Sequence, residues 1–277
     1  MRGPFVQILV IDWESEESHL RLNRRNENMH KSHHFLIVLA LSSTIAAQEK
    51  TSPADTGSAS TQTAHSYEVK VKLNYLLYLP RDYESQSDNT DQQWPLLIFL
   101  HGAGERGADL NMVKRHGPPK IVADDPEFPF VVISPQCPDG SFWNTDHLLQ
   151  LIRDTIKDHN IDPHRVYLTG LSMGGFGSWA LAAKEPELFA AVVPICGGGD
   201  PKDAEKLKDL PIWAFHGDAD RVVPIAGSQR MVDAIKEAGG NKIEFTIYEG
   251  VGHDSWTETY ANQELYKWLL KQRRETH

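Results

Sequence analysis

From Tyr67 onwards, short apolar runs alternate with stretches whose apolar residues recur at helical spacing. The opening run, "YEVKVKLNYLLYLP", switches between polar and apolar positions, as an antiparallel hairpin or edge pair does. The later runs, "PLLIFLHG", "FPFVVISPQ", "RVYLTGLS", "AAVVPICGG", "PIWAFHGDAD" and "KIEFTIYEGVGH", are continuously apolar and closed by glycines or polar residues. Such runs fit strands covered on both faces, and therefore a parallel sheet. Helical periodicity fills the gaps. Thr145 is placed to cap a helix carrying Leu148, Leu149, Ile152 and Ile156, stopped by Asn160 and Pro163. A second helix runs from Ser172 to about Lys184 and ends at Glu185-Pro186. A third holds Met231, Ala234, Ile235 and Ala238 before Gly239-Gly240, and a single last helix begins near Ser255 and displays Tyr260, Leu265, Trp268 and Leu269. This alternation predicts one α/β domain over residues 66–277, a mostly parallel central sheet flanked by helices.

The chain before that domain has a different pattern. "MHKSHHFLIVLALSSTIAAQEK", from Met29, has a basic start, an apolar run from Phe35 and small residues around Ala46 and Ala47. That is the layout of a secretory signal peptide over 29–47, cleaved near Ala46 to Gln48, and it predicts a secreted or periplasmic protein. The apolar run is shorter than the ~20 residues needed to span a bilayer, so no stable membrane anchor is expected. Residues 1–28, with the acidic "DWESEE", are expected to be a mis-assigned extension ahead of a true start at Met29. Residues 48–65 are rich in Ser, Thr and Ala, nearly free of apolar residues, and read as a disordered linker.

Charge and cysteine content remove several classes of function. With 38 acidic against 28 basic residues, the formal charge is −10, and no long Lys/Arg run forms a phosphate-binding face, so nucleic acid is not an expected partner. Two cysteines, Cys137 and Cys196, make neither a disulfide framework nor a C-x-x-C metal or redox pair.

The chemistry concentrates after strand ends. "VYLTGLSMGGFGSWALAA" is an apolar strand, then Gly170-Leu171-Ser172-Met173-Gly174, then a helix. G-x-S-x-G in that context is a nucleophile elbow, a turn so tight that glycine is needed two residues either side of the serine. An elbow serine needs a base, and the base an orienting carboxylate, in the chain order Ser, Asp, His. "HGDADRVVP" supplies Asp220 after one strand, with Asp218 as the second candidate, and "VGHD" supplies His253 after the next. His216 and His101 read as buried hydrogen-bonding residues, and His116, His147, His159 and His164 as surface positions.

"GAGERG", from Gly102 to Gly107, matches the dinucleotide fingerprint G-x-G-x-x-G literally. It opens no sustained helix, and the next strand ends in "SPQC" without the acid a ribose requires.

"FLHGAGERG", "GLSMGG", "HGDADRVVP" and "GVGHDSW", in that order over about residues 75–270, resemble the α/β-hydrolase superfamily. The resemblance is to its phospholipase/carboxylesterase-like and predicted-peptidase esterase branches, with dienelactone-hydrolase-like relatives. It implies nucleophile Ser172, acid Asp220, base His253, and an oxyanion hole from the backbone N–H groups of Ala103 and Met173. It implies no metal and no organic cofactor. The superfamily's strand order sets the strands ending at Cys137 and Cys196 three spacings of about 4.8 Å apart, too far for a disulfide, so two free thiols are expected. Only "GGGDPKDAEKLKDL" fills the usual place of a cap domain, which predicts no large cap and an open site. Trp143 is a candidate for lining the substrate pocket, with a packing anchor as the alternative. Glu105 and Arg106 are expected to pair and stiffen the oxyanion loop. The expected function is a secreted serine hydrolase acting on small-molecule or polymer-attached carboxylic esters. A serine peptidase of the same fold and a non-catalytic binding protein on that fold are the alternatives. These motifs specify neither the acyl nor the alcohol group, nor an oligomeric state.

Overall fold

The computed structural model describes residues 71–83 and 93–275. The expected extension (1–28), signal peptide (29–47) and linker (48–65) lie outside them. Seven strands form one sheet: β1 Tyr75–Tyr78, β2 Trp94–Leu100, β3 Val131–Pro135, β4 Ile161–Leu171, β5 Ala191–Ile195, β6 Ile212–Gly217 and β7 Ile243–Tyr248, in the spatial order β1-β3-β2-β4-β5-β6-β7. All neighbours are parallel except β1, which lies antiparallel on β3 at the edge, Leu76 opposite Ser134. Within the opening run, Tyr75–Tyr78 is thus an edge strand, paired with a strand distant in sequence.

The continuous apolar runs follow from burial on both faces. Leu96, Ile98 and Leu100 of β2 point into one core, and Leu97 and Phe99 into the other. The first core is closed by α2 (Thr145–Asp158), α3 (Met173–Lys184), α4 (Ala204–Leu207) and α5 (Ala226–Glu237), through residues such as Ile152, Trp179, Leu207 and Met231. The second is closed by α6 (Trp256–Ala261) and α7 (Gln263–Lys271), through Tyr260, Leu265 and Leu269, with α1 (Gly117–Ile121) nearby. Each fully buried aliphatic side chain contributes roughly 1.5–3 kcal/mol, so neither face of the sheet can be left bare.

Two helix details differ from expectation. Asn144, not Thr145, caps α2, its side chain accepting from the N–H groups of Asp146 and His147 at 3.0 and 3.1 Å. The C-terminal helix is two helices, because the Asn262 backbone leaves helical geometry and its side chain caps α7 by accepting from Glu264 N–H. Between β5 and β6 the chain forms only a single 3₁₀ turn (Pro201–Asp203) and α4, so no large cap stands there. Among the described residues no helix is long and apolar enough to cross a membrane.

Candidate active site

The ends of β4, β6 and β7 converge on one group of side chains. At the turn from β4 to α3, Ser172 has φ 52° and ψ −115°, a left-handed conformation that only surrounding structure can impose on a serine. A Cβ at Gly170 would collide with the Gly174 carbonyl, and one at Gly174 with the Leu100 carbonyl oxygen, so both glycines are required by space. The Ser172 N–H donates to Ile195 O at 3.0 Å and to the Cys196 sulfur at 3.3 Å, and Ser172 O accepts from Phe176 N–H. The elbow is therefore anchored to β5 on one side and to α3 on the other.

Ser172 Oγ lies 3.0 Å from His253 Nε2, and His253 Nδ1 lies 2.7 Å from Asp220 Oδ2. The second Asp220 oxygen accepts from the N–H groups of Val222 and Val223 at 2.8 and 2.9 Å. Burial on its own would raise the Asp220 pKa, but the hydrogen bonds from His253 and from Val223 and Val222 outweigh it and hold the carboxyl below its ordinary range. Trp256 stands edge-on to the His253 ring at 5.1 Å. Asp218 is turned elsewhere: its carboxylate accepts from Gly250 N–H at 2.7 Å, tying the start of the His253 loop to the end of β6.

On the other side of the elbow, His101 is fully buried. Its Nε2 accepts from Cys137 N–H at 3.0 Å, so Nδ1 carries the hydrogen and donates to Gly102 O at 2.6 Å. Burial, the largest influence, lowers its pKa to about 4. The Trp143 indole N–H donates to His101 O at 3.3 Å, and its ring meets His101 edge-on at 4.8 Å. A Cβ on Gly177 would also touch this indole, which packs against the first core. Trp143 thus braces the loop that follows β2.

The expected Glu105–Arg106 pair is not formed. Arg106 donates instead to the carbonyls of Ala103 and Ser141 at 3.0 and 3.1 Å, while the Glu105 carboxylate faces His116 and His101 at 3.8 and 4.0 Å. Adjacent residues at a 3₁₀ turn point their side chains apart, and the loop is stiffened by bonds to backbone, including Gln136 Nε2 to the carbonyls of Glu105 and Asp109. Among the described residues the N–H groups of Ala103 and Met173 donate to no other protein group.

Cys137 and Cys196 are both buried and free. The proximity of Cys196 to the site depends on β4–β5 pairing and has no local signature in the sequence. Donor atoms of Cys196, Asp220 and His253 lie within 4.8 Å of one another, the geometry of a metal cluster. Their chemistry fits one poorly, because burial pushes the Cys196 thiol up to about 12 and the carboxylate and imidazole are already bonded to each other. His116, His147, His159 and His164 are half-buried, and none is bonded to Ser172 or Asp220.

Residues 128–269 match the phospholipase/carboxylesterase family. A bifunctional acetylxylan esterase/xylanase of Neocallimastix patriciarum is 34% identical over 137 residues, covering 47% of this chain and 20% of that protein. An endo-1,4-beta-xylanase/feruloyl esterase of Xylanibacter ruminicola is 26% identical over 211 residues, covering 70% and 29%. The crystal structure of a thermostable esterase superposes with a TM-score of 0.64 at 39% identity, covering 74% of this chain and 60% of that one. The chain thus spans under a third of the length of these two curated relatives. Seven strands in this order, a serine at a strained strand-to-helix turn and the family match over the C-terminal half lead to one assignment: the chain belongs to the phospholipase/carboxylesterase family of α/β-hydrolases.

Proposed function

We propose that this protein hydrolyses carboxylic esters through Ser172, His253 and Asp220. The observation that carries the reading is the continuous contact from Ser172 Oγ to His253 Nε2 at 3.0 Å and from His253 Nδ1 to Asp220 Oδ2 at 2.7 Å. As Ser172 Oγ bonds to the acyl carbon, its proton passes to His253 Nε2, and the buried Asp220 carboxylate stabilises the imidazolium and holds the ring's orientation. The carbonyl oxygen becomes an oxyanion facing the Ala103 and Met173 N–H groups, where each donor is worth on the order of 3–4 kcal/mol of barrier. His253 then returns the proton to the departing alkoxide oxygen as the C–O bond breaks, leaving the acyl group on Ser172. Water repeats the sequence, adding to the acyl carbon as His253 takes its proton, and the acid leaves with Ser172 restored.

The open site and the esterase relatives support small-molecule or polymer-attached esters as substrates. We also propose export by the 29–47 leader; N-terminal sequencing of culture-medium protein that begins near Gln48 supports it, and an intact residue 1 there overturns it. A fluorophosphonate probe tests the serine chemistry. It is expected to label the wild type and not Ser172→Ala, and a folded wild type that stays unlabelled overturns the reading.

A further inference from the structure

A groove of about 520 Å³ runs beside the proposed triad, and no step of the mechanism above uses it. Phe176, one helical turn beyond Ser172, lines one end, and Val223, whose N–H holds Asp220, lines another part. Trp179 and Met231, each about 1% exposed, form its buried floor, while Phe176 stays 45% exposed on a helix whose residues are otherwise mostly buried. The short connection between β5 and β6, standing where a cap would enter, contributes Asp200 and Asp203, and α5 contributes Arg230. The Asp203 carboxylate is already paired with Lys206 Nζ at 2.7 Å. Asp200 gives one oxygen to the Lys202 N–H, and Arg230 makes no ion pair or hydrogen bond among the described residues. One anionic and one cationic group therefore remain, with no net field favouring an ion of either sign. An alkyl chain filling the groove would press hydrocarbon on both charges, which is costly without hydrogen bonds in return.

A neutral ring with apolar faces and hydroxyl edges satisfies both demands. Its C–H face lies on the exposed Phe176 ring, and its hydroxyls donate to Asp200 and accept from Arg230. We infer that this groove is the subsite for the sugar part of a carbohydrate ester, which rests on the esterase reading above and gives its substrate class. The experiment compares kcat/KM for an O-acetylated pyranoside and for 4-nitrophenyl acetate, in the wild type and in Phe176→Ala, Asp200→Asn and Arg230→Met. The ratio of the two, sugar ester over aryl ester, is expected to fall about tenfold in Asp200→Asn and in Arg230→Met, the scale of one lost hydrogen bond to a charged group, and at least about threefold in Phe176→Ala, which removes the ring face. The deacetylated pyranoside is expected to inhibit competitively. A ratio within about twofold of wild type in all three variants overturns the subsite and leaves the serine mechanism standing. No turnover of either ester overturns the mechanism itself.

A separate observation concerns His216, which is fully buried at the end of β6. Its Nε2 lies 2.9 Å from Val223 O and 3.3 Å from Asp220 Oδ2, two oxygens that only accept. Nε2 therefore carries a hydrogen, which it donates to Val223 O, while the same ring edge stays in contact with Asp220 Oδ2. Nδ1 lies 2.8 Å from Ser228 Oγ, which also lies 2.9 Å from Gly197 O on the loop after β5. The geometry points to His216 as a positioning residue: with His253 it brackets Asp220 Oδ2 and fixes the carboxylate's direction. In His216→Asn, whose shorter amide cannot reach, kcat per probe-titrated site is expected to fall about tenfold with KM within about twofold, and His216→Gln, which restores an N–H donor, to recover most of the loss. Wild-type kcat per titrated site in both variants, or an equal loss in both, overturns the assignment.

Discussion

Two His-Gly pairs mark the ends of two strands of the same sheet, His101-Gly102 directly after β2 and His216-Gly217 as the last two residues of β6, and both histidines are fully buried. They are built into opposite kinds of surroundings. The hydrogen bonds of His101 run only to backbone, donating to Gly102 O and accepting from Cys137 N–H, and burial keeps its ring neutral down to about pH 4. His216 meets side chains, Ser228 and the Asp220 carboxylate, besides Val223 O. The same dipeptide at the same place in the fold thus serves two needs. In the proposed mechanism one side of the site holds N–H groups still against a developing charge, which a neutral, backbone-locked ring does without adding a charge of its own. In that mechanism the other side lets a proton move, which needs a carboxylate whose direction is fixed.

The largest effect that separates the two sides is expected from Asp220→Asn. It leaves the Val222 and Val223 bonds a carbonyl acceptor but removes the charge facing His253. The kcat is expected to drop by about 10³–10⁴-fold, the scale on which an orienting carboxylate matters in a serine triad, with the urea midpoint little changed. Turnover within about tenfold of wild type would take the role from Asp220 and direct attention to Asp218.

The next effect lies on the neutral side and appears as stability. In the folded state the His101 pKa is lowered from 6.5 to about 4. Between those values the unfolded chain takes up a proton that the folded chain refuses, so stability falls as the pH drops through this window and is level above it. The loss is on the order of 3 kcal/mol. Urea unfolding at pH 7.5 and pH 4.5 is expected to show His101→Gln losing less than the wild type by about that amount. Equal losses in the two proteins would mean that His101 is not the group excluded from charging.

How much of this was visible in the sequence depends on whether the cause is local. Doubly covered strands announce themselves as unbroken apolar runs, and the elbow as glycines flanking a serine between strand and helix, because the forces involved act within a few residues. That logic singles out Ser172, Asp220 and His253, and the fold brings their side chains into contact. Cap and break positions were less visible: Asn144 and Thr145 are both competent caps, and Asn262 sits inside an intact apolar period. The Glu105–Arg106 pair was misread because adjacency in the chain is a poor guide where Arg106 can reach the Ser141 carbonyl, 35 residues away. Cys196 and Phe176 had no signal, since only strand pairing and helix placement bring one to Ser172 and expose the other.

Trp143 supplies the smallest and most discriminating test, since bracing the neutral side and lining a substrate pocket predict different outcomes. Phenylalanine at this position keeps most of the ring against His101 and Gly177 but removes the N–H donated to His101 O. One such bond is worth about 1 kcal/mol. As a brace, Trp143→Phe is expected to lower stability by that amount and to reduce kcat by about twofold to threefold, by the same factor for acetyl, butyryl and aromatic acyl esters. As a pocket wall it would leave stability nearly untouched and change KM in step with acyl size. A chain-length-dependent KM at wild-type stability would move Trp143 from the scaffold to the substrate, and would mean that the loop after β2 is held by Arg106 and Gln136 instead.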